Sequence, residues 1–394
     1  MATSPTAGTA AGRPQPQTTV ALESPGGPFI RYSEKGRMPQ YTKTGIAFGG
    51  QITTPLVARP GYYSSFRLRF AGSGGVNGTH TVTASADAPY DLVGLLQFKD
   101  AFGTVIFAGT GYALLYLVPL FSGSFGTFKN AAVTKLPSYS AVSTGAAGTG
   151  DFSFATALPL EFARGMGVIA GANASLPPSL NLNLNTSATF YGTTSPGTLP
   201  TIKVQVDSDF YWLPEGVTIE PPGLGTTRQW IVTPMNPTVG SKFSGRIQGP
   251  RLGGFLDTII VVMRNATGAR IDGWPGFATT TLTTATARWQ VILDGVPIWT
   301  TTIDELLDDM AITWPTVTRP KGVVALSRRT AMNQSVLGLL TSGEQWLASS
   351  PGTLLELAGY PWGTFAKAPA QLSLCLGQIV PAGTIIQGAT DLGI

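Results

Sequence analysis

Four acids crowd into six positions: Asp304, Glu305, Asp308 and Asp309. Two carboxyl groups held about 5 to 9 Å apart can cleave a glycosidic bond, and Asp304 and Asp308 would share one helix face. The same acids have a plainer use. In a first helical turn they complement the helix dipole, and beyond it they sit on a solvated face or an interface. The single histidine, His80, lies in the polar turn Gly78-Thr-His80-Thr, and no G-x-S-x-G elbow supplies it with a nucleophile. The single cysteine, Cys375, sits in Leu372-Ser-Leu374-Cys-Leu376, a strand pattern that predicts a packed small residue. One His and one Cys cannot supply the four ligands of a structural zinc or the imidazoles of a cupin-type metal site. They also exclude a disulfide framework within the chain.

Phosphate chemistry finds little support. The glycine clusters Gly253-Gly254-Phe255, Gly123-Ser-Phe-Gly126 and Gly145–Gly150 lack the Lys-Ser/Thr of a P-loop, and none opens a long helix. Asn77, Asn173, Asn185, Asn265 and Asn333 begin glycosylation sequons, which a chain rich in Thr, Ser and Asn yields freely. No catalytic, cofactor-binding or metal-ligating residue is assigned, and the chain is expected not to be an enzyme. The eight tryptophans (Trp212, Trp230, Trp274, Trp289, Trp299, Trp314, Trp346 and Trp362) keep one alternative open. Exposed in a groove beside a carboxylate pair, they would suit a carbohydrate-binding or glycoside-cleaving β-sandwich; otherwise they are core or interface residues.

The elements that must position these residues follow from composition and pattern. The chain has 394 residues, of which 49 are Gly and 30 Pro, so tight turns abound. Only 12% of residues are charged against 43% apolar, which predicts a real core and a surface partly covered by other subunits. The net charge is +4, and the segment 1–45 carries +3 of it through Arg13, Arg31, Lys35, Arg37 and Lys43 against Glu23 and Glu34. This segment reads as a polar N-terminal arm without the layout of a signal peptide. Its cations either meet phosphates, on nucleic acid or lipid head groups, or decorate a solvated tail; so small a charge favours the tail. The uncharged stretch Val105–Phe121 is shorter than the ~20 apolar residues of a membrane span and is broken by Gly109, Gly111 and Pro119. It predicts a strand, a glycine turn and a short buried helix.

An internal repeat organises the remainder. Leu95–Phe107 reads as strand, turn, strand, and so does Trp289–Trp299 around the Asp294-Gly295 turn; Asp100 and Asp294 lie 194 residues apart. A short helix should follow each hairpin, over Tyr112–Phe121 and over Thr302–Met310. The second opens on Thr302-x-x-Glu305, a capping box, and aligns Ile303, Leu306, Leu307 and Met310 on one face. The alternating strands Pro178–Leu184 and Ala370–Leu376 lie 192 residues apart and are taken as a second matching pair. Tyr62–Phe70 alternates, Phe255–Met263 is apolar enough to be covered on both faces, and Pro221-Pro222 suits a linker. Long helical periodicity is absent, which excludes a doubly wound fold. The predicted fold class is all-β: two tandem eight-stranded jelly-roll sandwiches with short helices in connecting loops. The expected divisions are an arm over 1–45, a first roll over 46–221 and a second over 222–394.

This order of elements, twice repeated behind a polar arm, resembles the double jelly-roll major capsid proteins of tailless, membrane-containing icosahedral viruses, the tectivirus-like group. Gly254–Arg270 looks like the opening strand and turn of such a roll. The resemblance spans about residues 45 to 394 and is architectural. It implies a structural virion protein that forms homotrimers, each a pseudo-hexagonal capsomer of six upright rolls, over an internal lipid membrane. Implied partners are other copies of the chain, neighbouring capsomers, and penton, minor capsid or cement proteins, with no cofactor and no sequence-specific nucleic-acid binding. The implied location is the virion, assembled in the host cytoplasm. Arg31, Lys35, Arg37 and Lys43 would then be the residues that touch a membrane or the shell interior. Arg outnumbers Lys sixteen to nine, which hints at a GC-rich host such as an actinomycete and hence a bacteriophage.

Overall fold

A computed structural model describes residues 27–122, 139–140, 148–162, 165–171, 177–192, 194–222, 224–235, 246–264, 268–270, 288–315, 317–327, 352–360 and 371–381. After helix α1 (Gly27–Tyr32), the first roll runs β1 (Glu34–Ile46), β2 (Gln51–Pro55), β3 (Tyr62–Ser73), β4 (Val93–Lys99) and β5 (Val105–Gly109). A π-helical turn over Tyr112–Leu117 then leads into α2 (Val118–Phe121). The two-residue β6 (Tyr139–Ser140), β7 (Phe152–Pro159), the two-residue β8 (Ile169–Ala170), β9 (Ser179–Leu184), α3 (Ser187–Tyr191) and β10 (Thr201–Trp212) complete the roll. The second roll runs β11 (Thr226–Met235), β12 (Arg246–Arg251), β13 (Phe255–Arg264), β14 (Arg288–Leu293), β15 (Val296–Thr302), α4 (Ile303–Thr313), β16 (Val323–Ser327), β17 (Leu354–Tyr360) and β18 (Gln371–Pro381).

Sheet order makes the repeat explicit. The first roll pairs β1-β10-β3-β7 in one sheet and β2-β9-β4-β5 in the other. The second pairs β11-β18-β13-β16 and β12-β17-β14-β15. With the short β6 and β8 set aside, strand by strand in chain order these are one pattern, the jelly roll, used twice. The fold is all-β, two tandem eight-stranded jelly rolls, as the composition and repeat predicted.

Local chemistry explains the best-anticipated elements. In β3, Tyr63, Phe66, Leu68 and Phe70 point inward and are buried, as a half-buried strand requires. In β9, Leu180, Leu182 and Leu184 are buried between less buried Asn181 and Asn183. The β14–β15 hairpin turns on Asp294 (φ 46°) and Gly295 (φ 82°), the positive angles that a two-residue primed turn demands. The strand–turn–helix expected over Val105–Phe121 is present, and among the described residues no helix is long and apolar enough to cross a membrane. Thr302 and Glu305 form the anticipated capping box on α4, whose Leu306 and Met310 are buried.

Three expectations need correction. Residues 27–45 are not a tail: α1 plants Phe29 in a cluster with Val168 and Tyr211, and β1 pairs with β10 along almost its whole length. Only Met38 and Gln40 of β1 are buried, so its composition resembles that of a solvated arm. The strand Phe255–Arg264 does not open the second roll but is its third strand; β11 opens it. The strands around Leu180 and Leu374 are not equivalent either. β9 is the seventh strand of its roll and matches β17, whereas β18 is an eighth strand and matches β10. Alternation reports a half-buried strand and says nothing of its place in the sheet.

Candidate functional site

The residues whose types suggested chemistry are scattered. Asp304, Glu305 and Asp308 are exposed on α4, and Glu305 is committed to the cap, its Oε2 accepting the Thr302 N–H at 2.7 Å. Asp309 titrates above its usual range because of desolvation, and then because of its neighbours Glu305 and Asp308. His80 is exposed, with Nδ1 at 3.0 Å from the Ser195 carbonyl. Cys375 is buried, and burial pushes its thiol far up, so it packs as anticipated. Among the described residues no three His, Cys, Asp or Glu side chains converge to hold a metal. Trp230 is wholly buried, and Trp299 and Trp314 are half-buried, the latter donating its indole N–H to the Phe121 carbonyl at 2.8 Å. Trp212 is 38% exposed and donates to Glu34 Oε2 at 2.7 Å. Trp274, Trp346 and Trp362 lie outside the described residues.

The most built feature of the molecule is the seam between the rolls. β5, an edge of the first roll, pairs in parallel with β11, the first strand of the second, through Phe107↔Trp230 and Ala108↔Ile231. Two four-stranded sheets thereby become one of eight strands, and the core runs through both rolls. Trp230 lies across β18, where Gly377 leaves room: a Cβ there would meet the indole at 2.8 Å. The Arg228 guanidinium covers the Trp230 ring at 4.6 Å and pairs with Asp257, both ions nearly fully buried. Arg228 is the one charge of β11, and Asp257 the one charge in the apolar run Phe255–Met263, which in sequence is the signal of a buried partner.

Beside this joint a second polar cluster ties the rolls together. Asp87, in the loop before β4, accepts ion pairs from Arg264 and Arg270 of the second roll, the latter at 2.8 Å. Arg270 also donates to the Ala86 carbonyl at 2.9 Å, and both guanidinium groups lie over the Tyr112 ring, at 5.3 and 4.9 Å. Asp87, Tyr112 and Arg264 line a cleft of about 620 Å³ that also receives Asp91. Burial lifts the Asp91 carboxyl to about 7; a hydrogen bond from Ser85 works against burial, and the nearby charge of Asp87 adds to it. No sequence motif flags this cluster, because Asp87 lies more than 170 residues from both Arg264 and Arg270.

The four basic residues expected to contact a membrane or interior are placed as follows. Arg31 is exposed on α1, and Lys35, Arg37 and Lys43 are exposed on β1. Lys35 pairs with Glu161 at 2.9 Å and Arg37 with Asp209 at 3.6 Å; Arg67 and Arg69 extend the lattice to Asp209 and Asp207. Burial works to lower the Lys35 pKa, yet Glu161 and Tyr211 hold it above its ordinary value. Among the described residues, Arg31 and Lys43 have no acidic partner within ion-pair distance.

No family model matches the chain, and no curated protein matches it in sequence. Solved structures do match in fold. The crystal structure of the STIV MCP superposes with a TM-score of 0.58 at 15% identity, covering 89% of this chain and 96% of that one. The atomic structure of Sulfolobus Turreted Icosahedral Virus gives 0.58 at 14% identity, over 89% and 91%. The PBCV-1 virus capsid gives 0.53 at 13% identity, over 88% and 93%. At such identities the likeness is one of fold, and the fold this chain shares is that of double jelly-roll capsid proteins.

Proposed function

We propose that this chain is a major capsid protein, a structural subunit that works by assembling with copies of itself into an icosahedral shell as pseudo-hexameric homotrimers. The supporting observation is the tandem roll, matched over nearly the whole length of both this chain and the STIV MCP. Its composition fits the reading: obligate interfaces are less charged than free surface, and only 12% of this chain is charged. A tectivirus-like virion with an internal membrane, host-cytoplasm assembly and vertex or cement partners extends the same proposal. The interior or membrane contact falls to Arg31 and Lys43, since Lys35 and Arg37 are engaged by carboxylates. The divisions at residues 221 and 222 suit the stretch between β10 and β11.

Native mass measurement tests the proposal. A stable species at three times 41.1 kDa, or a larger shell, is expected. A monomer that binds sugars would overturn it in favour of the carbohydrate-binding alternative.

A further inference from the structure

Strand β15 exposes what its counterpart hides. In both rolls the fourth and fifth strands form a hairpin with one extra residue on the fifth strand: the register slips at Phe98/Lys99, where Ile106 is extra, and at Val291/Ile292, where Ile298 is extra. Ile106 therefore corresponds to Ile298, Phe107 to Trp299 and Ala108 to Thr300. Ile106, Phe107 and Ala108 are fully buried, because β11 closes that edge. Ile298 is 36% exposed and Val296 62%, and among the described residues β15 ends its sheet. An apolar edge strand left open is a template for another strand.

The complementary edge is β1, which stands in the first roll where β11 stands in the second and, among the described residues, also ends its sheet. Its register can be fixed. In each roll the third strand carries one extra residue against the last: Ser64 opposite Asp209/Phe210, and Asp257 opposite Gly377/Gln378. Counting from that bulge, Asp209 corresponds to Gly377. Their partners on the first strands, Arg37 and Trp230, therefore correspond, as do Lys35 and Arg228.

We propose that β15 of one copy pairs with β1 of the next, repeating between chains the β5–β11 joint made within one. This rests on the capsid reading and names the edges by which copies join. Phe107↔Trp230 becomes Trp299↔Arg37, an aromatic ring against a guanidinium, and Ala108↔Ile231 becomes Thr300↔Met38. The polar outer face of the first roll is compatible with such cover: Lys35 already holds the Glu161 carboxylate, and its counterpart in the second roll, Arg228, is buried with Asp257. Because the two edges differ, the contact is heterologous, and like residues never meet.

Cross-linking of the full-length chain tests this. With Arg37→Cys and Trp299→Cys together, a short bismaleimide should link chains into a ladder that ends at the trimer, while either single variant gives no linked dimer. The buried Cys375 does not compete. As a second readout, Ile298→Glu should lower the trimer fraction more than tenfold with an unchanged circular dichroism spectrum. A trimer that neither cross-links through this pair nor responds to Ile298→Glu overturns the edge pairing and leaves the capsid reading standing. Linked dimers from a single variant overturn it in favour of a two-fold contact. A wild-type chain that stays monomeric overturns both.

Discussion

Gly377→Ala is a single methyl group that measures the seam. The added Cβ would stand 2.8 to 3.0 Å from three ring atoms of Trp230, closer than packed carbon atoms approach. The indole is fully buried beneath Arg228 and cannot swing aside without moving it. Ala in place of Gly gains about 0.4–1 kcal/mol by restricting the unfolded chain. Overpacking of a filled core costs about 1–3 kcal/mol, so the net effect is destabilising by about 1–2 kcal/mol. Trp230→Leu costs a few kcal/mol by itself, yet it removes the ring that the methyl group strikes. In that background Gly377→Ala should be neutral or stabilising, a coupling of at least 1 kcal/mol. Guanidinium unfolding of the wild type and the three variants, followed by circular dichroism, gives all the terms of the cycle. Equal costs in both backgrounds, or a stabilised single variant, would refute the packing argument. The first roll carries Asp209 at the corresponding position, where no indole crosses the last strand and its carboxylate takes Arg37 and Arg67.

Three further outcomes follow from the same geometry. Asp91 has a folded pKa of about 7, above the ~3.9 of an unfolded Asp, so the native chain holds its proton more tightly. Stability should therefore fall as pH rises from about 4 to 7, and Asp91→Asn should flatten that slope in thermal melts taken across the range. Asp87→Ala leaves Arg264 and Arg270 facing each other over Tyr112 without their carboxylate, and should cost about 2–4 kcal/mol in denaturant unfolding. Thr302→Ala removes the α4 cap and should cost about 1 kcal/mol by the same measurement, whereas Thr302→Ser should recover most of it.

What the sequence disclosed divides along the range of the interactions. The two hairpins and the helices after them were legible, because an Asp-Gly turn, a capping box and an apolar stripe act within a few residues. From them came the repeat, and from the repeat the fold class. β1 was hidden, since an edge strand with only two buried residues in thirteen looks like a solvated arm. The Leu180 and Leu374 strands were matched wrongly because pairing order depends on strands far away in the chain. The seam was the least legible part. Asp257 is a lone charge within the apolar run Phe255–Met263, but nothing in the sequence joins it to Arg228, or Asp87 to Arg264 and Arg270.

The joint between β5 and β11 also has a consequence for synthesis. More than a hundred residues separate the two strands, so the ribosome delivers β5 long before the strand that will cover it. During that interval the nascent first roll carries a bare flank at Phe107 and Ala108, open to any passing strand. A message truncated before codon 226 would make that flank permanent. Its product should clump, each piece reaching for the missing neighbour.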